Sequence, residues 1–267
     1  MPIIEVNGAK LYYEDSGGAS DTILFCHGLI CNCHMFDDQV KAFKDRFRCI
    51  TFDFRGHGNS EVTRDGYDMD NLAVDAVKLI QELNCKPCHL VGFSMGGFVA
   101  LRLAIHYSNF FQSLILMNTS ADPFPKKDIF QFKMLSFIGR WIGFRPIVNQ
   151  LMSMMFSDSF LKNSENIEKS EKWRQYVLNN SRKGGVRAVN GVIGRKGVYD
   201  QLNQIRLPSL IIASDQDKLA DRKDSIRMHE KISNSKMVII PHAGHMTAVE
   251  SFETVNATIT NFLTDLN

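Results

Sequence analysis

Two hydrophobic periodicities alternate along this chain. Short apolar, partly β-branched runs occur at 22–27 (TILFCH), 48–53 (RCITFD), 89–93 (HLVGF) and 113–117 (SLILM). Such runs are expected of parallel strands covered on both faces. Between them Met69, Leu72, Ala73, Ala76, Val77, Ile80 and Leu83 recur at helical spacing and make one apolar face. Residues 96–107 read as a second helix. After residue 205 the alternation resumes, with strands at 209–213 and 236–240 and helices at 222–232 and 251–266. The opening MPIIEVNGAKLYYED reads as two strands joined by an Asn7-Gly8 turn. The count reaches eight strands. Alternating strand and helix predicts an α/β fold: a mostly parallel eight-stranded sheet with helices on both faces.

Residues 122–204 break this rhythm. They contain no clear strand, both tryptophans (Trp141 and Trp173) and the Met/Phe-rich runs 130–135 and 151–156. Over 122–200 there are 14 Lys/Arg against 7 Asp/Glu, a local +7 in a chain whose total is +2. A helical insertion accounts for this composition, its basic residues forming a solvated face. The sharper reading, compatible with that one, is a cap over an active site with soft apolar residues on its underside. The expected organisation is therefore a core of 1–121 and 205–267 with a helical cap at 122–204. On that view Trp141 and Met154 are candidate substrate-binding residues.

Composition narrows the function. Apolar residues are 44% and charged residues 22% of 267, in the globular range. The near-balanced charge argues against nucleic acid as a partner. No apolar run approaches the roughly 18 residues that span a bilayer, and the first residues lack a basic segment followed by an apolar stretch. The expectation is a cytoplasmic protein with no stable membrane association; nothing in the sequence specifies an oligomeric state. Six cysteines are too sparse for a disulfide scaffold. Cys26, Cys31 and Cys33, with His27 and His34 nearby, match no common zinc spacing. Cys85-Lys86-Pro87-Cys88-His89 has the form of a c-type haem attachment sequence but accompanies no export signal. No metal and no organic cofactor is expected, and neither a phosphate loop nor a dinucleotide fingerprint occurs.

The strongest chemical signal is Gly92-Phe93-Ser94-Met95-Gly96. It follows a buried strand and opens a helix, the setting that G-x-S-x-G requires. A sharp strand-to-helix turn strains the serine backbone, and side chains two positions to either side would collide. Ser94 would then project above the carboxyl ends of the strands, where open α/β sheets bind ligands. A serine hydroxyl needs a base, and the base an orienting acid. Two later strands end in suitable loops: Ser214-Asp215-Gln216-Asp217-Lys218 and Pro241-His242-Ala243-Gly244-His245-Met246. An acid at Asp122 or Asp128 is an alternative.

Over nearly its whole length the chain resembles the α/β-hydrolase superfamily. The resemblance rests on His27-Gly28-Leu29, on Asp53-Phe54-Arg55-Gly56-His57-Gly58-Asn59-Ser60, on the serine turn, on Asp-x-Asp-Lys-Leu at 215–219 and on Ala-Gly-His-Met at 243–246. Its nearest branches are small serine esterases, cofactor-free haloperoxidase-like perhydrolases and oxoadipate enol-lactonase-like lactonases. The resemblance implies Ser94 as nucleophile, Asp217 rather than Asp215 as acid and His245 rather than His242 as base. It implies that Leu29 and Met95 supply oxyanion-hole amides, that His27 shapes the oxyanion loop, and that Arg55 and His57 are architectural. Ser214, where glycine is common, and the Cys-rich loop after Leu29 depart from the pattern. The implied activity is cleavage of a small to medium carboxylic ester or lactone. Perhydrolysis, carbon–carbon hydrolysis or a non-enzymatic sensor are the alternatives; a serine at 94 disfavours epoxide-hydrolase and dehalogenase chemistry.

Overall fold

A computed structural model describes residues 2–19 and 21–266. Eight strands, β1 (Ile3–Val6), β2 (Ala9–Asp15), β3 (Thr22–Cys26), β4 (Arg48–Phe52), β5 (Cys88–Phe93), β6 (Phe111–Met117), β7 (Ser209–Ser214) and β8 (Ser235–Ile240), form one sheet. Their spatial order is β1-β2-β4-β3-β5-β6-β7-β8. β1 and β2 make an antiparallel hairpin through Asn7 and Gly8, both at positive φ, and β2 runs antiparallel to β4. All remaining pairs are parallel. The carboxyl ends of β3, β5, β6, β7 and β8 therefore face one side.

The central strands read as continuous apolar runs because both faces are covered. In β3, Leu24 and Cys26 join the core on one side while Ile23 and Phe25 join the other; in β6, Leu114 and Leu116 oppose Ile115 and Met117. This is the two-residue period of a pleated strand. One face is packed by the helices α2 (Met69–Glu82) and α3 (Met95–His106). The other is packed by α1 (Asp37–Phe43) and by the C-terminal helix at Phe252–Thr264. Asp68 caps α2 by accepting from the Asn71 amide, so the helix starts where the apolar repeat begins. β8, an edge strand, is only half-buried, and its Lys236 pairs with Asp265.

Between β6 and β7 lie α4 (Ile129–Trp141), α5 (Val148–Met155), α6 (Asp158–Lys162), α7 (Ile167–Leu178) and α8 (Arg182–Ile193), with no strand among the described residues. Thereafter come α9 (Arg222–Lys231), which packs on β7 and β8 on the same side of the sheet as α2 and α3, α10 (Thr247–Glu250) and α11, the C-terminal helix. Among the described residues no helix is long and apolar enough to cross a membrane.

Candidate active site

Ser94 sits on the turn between β5 and α3 with φ 50° and ψ −113°, a conformation costing on the order of 1–3 kcal/mol. Neighbouring hydrogen bonds hold it there. Its amide donates to the Met117 carbonyl (3.0 Å), and its own carbonyl accepts from Gly97, Phe98 and the Thr119 hydroxyl. The flanking glycines are demanded by space: a Cβ on Gly92 would lie 2.6 Å from the Ala100 Cβ, and one on Gly96 would lie 2.0 Å from the Cys26 carbonyl oxygen.

Two further loops meet Ser94 from the ends of β7 and β8. His245 Nε2 is 2.9 Å from Ser94 Oγ, and His245 Nδ1 lies 2.9–3.0 Å from both carboxylate oxygens of Asp217. The imidazole is buried against the Phe93 ring, whose centroid is 4.9 Å away. Asp217 is the acid that reaches the ring; Asp215 and His242, two and three residues earlier in their loops, point to solvent. The Asp217 side chain is 2% exposed. Burial alone would raise its carboxyl, but the imidazole beside it and hydrogen bonds from Ala220 and Asn118 hold it below its ordinary value.

Two residues that sequence reasoning passed over help build this arrangement. Asn118, at the end of β6, donates Nδ2 to Asp217 (2.9 Å) and to Ser214 Oγ (2.8 Å). Ser214 in turn donates to the Gly244 carbonyl, so its hydroxyl ties the acid's neighbour to the histidine loop, which a glycine there would not do. The sequence marks Asn118 only as a polar residue after the apolar run 114–117, without saying what it contacts. Glu250 is the second. Its carboxylate accepts from the Gly244 amide (3.1 Å) and from both amide and hydroxyl of Ser157, joining the histidine loop to the segment between α5 and α6. Nothing in its local sequence marks it, because its partners lie across a chain crossing.

Beside Ser94 runs the turn at 28–30. A Cβ on Gly28 would stand 2.7 Å from the Phe93 ring and 3.4 Å from the Ser94 Cβ. Only a residue without a side chain lets the turn approach Phe93 and Ser94 this closely. The amides of Leu29 and Met95 have no acceptor among the described residues, and both residues line the cavity. His27 is buried, with Nδ1 at the Gly28 carbonyl (2.7 Å) and Nε2 accepting from the Phe54 amide (3.0 Å). Burial and the neighbouring His57 push it well below its ordinary value, so it stays neutral and braces the turn.

The cavity over Ser94 has a volume of about 570 Å³ and is walled by Phe93, Phe98, Phe124, Leu151, Met154 and Val192 among others. Met154 is among the lining residues. Trp141 is not, contrary to expectation: it is 66% exposed, with the Arg140 guanidinium 4.9 Å over its ring. α4 buries Leu135 and Gly139, and at 100° per residue Trp141 falls on the opposite side. Trp173 packs on Phe156 and Tyr176 inside the inserted helices. Asp122, the alternative acid, faces Arg227. Arg195 is on the cavity wall, stacked over Phe98 (4.0 Å) and Phe124 (5.2 Å), with no carboxylate in ion-pair range among the described residues. Burial and the nearby Arg102 lower it to about 10.

Metal-ligating side chains gather elsewhere. Donor atoms of Glu14, Cys33 and His34 lie within 4.8 Å of one another. Each is engaged, however: Glu14 accepts from Tyr12, His34 meets Asp37, and burial drives the Cys33 thiol strongly upward, which keeps it protonated. Cys85 and Cys88 are buried free thiols at the amino end of β5, the far end of the strand from Ser94.

Comparison with known proteins agrees with this architecture. Residues 21–252 match the family model described as alpha/beta hydrolase fold. The 3-oxoadipate enol-lactonase 2 of Acinetobacter baylyi is 28% identical over 92% of this chain and 90% of its own length. A thermophilic esterase from Thermogutta terrifontis superposes with a TM-score of 0.92 at 27% identity, covering 100% of this chain and 99% of that one. An enol-lactonase from Burkholderia xenovorans has the same fold, with a TM-score of 0.92 at 22% identity over 98% of this chain and all of that one. With its parallel sheet, its serine turn after β5 and a family match covering most of its length, the chain belongs to the α/β hydrolases.

Proposed function

We propose that this protein is a serine hydrolase that cleaves a carboxylic ester or lactone through an acyl-enzyme. The observation that carries the reading is the continuous contact from Asp217 through His245 to Ser94 at the floor of a cavity with apolar walls and charged residues among its lining. His245 Nε2 takes the hydroxyl proton as Ser94 Oγ attacks the carbonyl carbon, and the carbonyl electron pair moves onto oxygen. The amides of Leu29 and Met95 receive that oxyanion, a contribution typically worth about 3 kcal/mol per donor. Collapse expels the alkoxide, which takes the proton from His245. A water then repeats the sequence on the acyl-enzyme, releasing the acid and restoring Ser94. Asp217 holds the imidazole with Nδ1 protonated and stabilises its cationic form. No metal or organic cofactor enters the scheme.

Residues 122–204 act as the cap over a core of 1–121 and 205–267. Its Leu151, Met154 and Val192 give the acyl group an apolar wall, and Arg195 shares the lining with Asp122, Asp128 and Asp224. The names of the relatives, enol-lactonase and esterase, are consistent with this class of substrate. A fluorophosphonate probe tests the reading: it adds once per chain, at Ser94, and Ser94→Ala abolishes both labelling and turnover of chromogenic acyl esters. Labelling that persists in Ser94→Ala, or turnover near wild type, refutes it.

A further inference from the structure

Four large apolar residues of α4 point to water. Phe130 is 79% exposed, Met134 44%, Phe137 62% and Trp141 66%, and Ile142 continues the patch at 61%. The remaining exposed apolar residues of the molecule are scattered along the chain; these are contiguous. At 100° per residue the four helical positions fall within a 60° arc, and they extend over roughly 16 Å of helix. The opposite side of α4 is satisfied: Leu135 and Gly139 are buried, and Gln131 and Phe132 reach the cavity. α4 is therefore apolar on two faces, and only one of them has a partner in the fold.

The surroundings of the outer face indicate what covers it. Lys126, Lys133, Arg140 and Arg145 adjoin the stripe along the chain, Lys127 lies on the cavity lining, and none of the five forms an ion pair among the described residues. Asp128 is the one acid between 123 and 157. Two copies of such a face would bring like charges together, which opposes self-association. An aromatic stripe bordered by unpaired Lys and Arg matches instead the boundary between acyl chains and anionic headgroups. Trp141, with Arg140 stacked on its ring, has the amphipathic character of residues that settle at that depth.

We propose that α4 docks this protein reversibly on anionic lipid surfaces, with Phe130, Met134, Phe137 and Trp141 inserted among the headgroups and the flanking cations over them. This is interfacial contact and needs no membrane-spanning segment. Phe124, Pro125, Lys127, Asp128, Gln131 and Phe132, before and within the first turn of α4, also line the cavity, so docking would bring that end of the cavity towards the leaflet. The docking itself stands independently of the hydrolytic reading, because its test measures binding.

The experiment mixes the full-length protein with vesicles of phosphatidylcholine alone or with about a third phosphatidylglycerol. Trp173 is buried, so a blue shift of tryptophan emission on vesicle addition reports Trp141. The expected result is co-sedimentation and a blue shift with anionic vesicles, at least tenfold weaker with neutral ones, and weakening as salt rises. Phe137→Glu abolishes binding, and Lys133→Glu with Arg140→Glu lowers it on the order of 30-fold. Phe137 and Lys133 are exposed and Arg140 is half-buried, and an unaltered thermal midpoint verifies the fold of both variants. Absence of vesicle binding overturns the proposal, as does binding that Phe137→Glu leaves intact. A dimer in sedimentation velocity that Phe137→Glu dissociates overturns it in favour of a second copy of the chain.

Discussion

Replacing Asp217 with asparagine probes the proposed chemistry most directly, because the surroundings of this carboxylate dictate how the amide must sit. Oδ1 accepts from the amides of Leu219 (2.7 Å) and Ala220 (2.9 Å), and Oδ2 accepts from Asn118 Nδ2 (2.9 Å). An asparagine has one acceptor oxygen, and two backbone donors hold it at the Oδ1 position. Its NH2 then occupies the Oδ2 position, marginally the nearer of the two to His245 Nδ1 (2.9 Å against 3.0 Å for Oδ1), facing the NH2 of Asn118 and donating toward the ring. The imidazole answers by carrying its proton on Nε2, which now donates toward Ser94 Oγ and cannot take its hydrogen. The same replacement in a serine-protease triad costs roughly four orders of magnitude in kcat, about 5.5 kcal/mol at the transition state. Asp217→Asn is expected to show that loss with little change in KM, measured by single-turnover acylation with a chromogenic ester. Asp215→Asn, at an exposed position, should stay within about threefold of wild type. Retention of more than a tenth of the wild-type rate by Asp217→Asn, or an equal loss in Asp215→Asn, refutes the reasoning.

Two further outcomes follow from the same geometry. Met154→Ala removes part of the cavity wall, so each lost methylene contact of about 0.8 kcal/mol lowers kcat/KM several-fold for esters that used it. The acyl-length optimum moves to longer chains, whereas Trp141→Ala leaves the profile of water-soluble esters within twofold; an unshifted optimum in Met154→Ala counts against the assigned lining. Burial raises the Glu250 carboxyl above its ordinary 4.5 despite the hydrogen bonds from Ser157 and Gly244. The folded chain thus holds this proton more tightly than the unfolded chain, and the corresponding stability is present below pH 4.5 and lost as pH rises through the folded value. Urea midpoints compared between wild type and Glu250→Gln should diverge in that window, with the wild type falling as pH rises; a difference independent of pH contradicts it.

Much of this molecule is written locally. The central strands are buried on both faces and so are largely apolar, which makes them visible as runs; the observed strand bounds lie within two residues of the expected ones. The turn at Ser94 is equally legible, because its steric demands act on Gly92 and Gly96, only two residues away. Asp217 and His245 were legible as loops at strand ends, but choosing them over Asp215 and His242 needed the family resemblance, since spacing alone allows either. Other features depend on where distant segments meet. Asn118 reaches Asp217 across 99 positions, and Glu250 reaches Ser157 across 93, so no local pattern records either contact. The α4 stripe is the sharpest case. Sequence determined that the helix is rich in Met, Phe and Trp, and that composition suggested a pocket lining for Trp141. Only the tertiary structure decided which arc meets the core, because a helix apolar on two faces can bury either one, and packing around Leu135 and Gly139 buried the side away from Trp141.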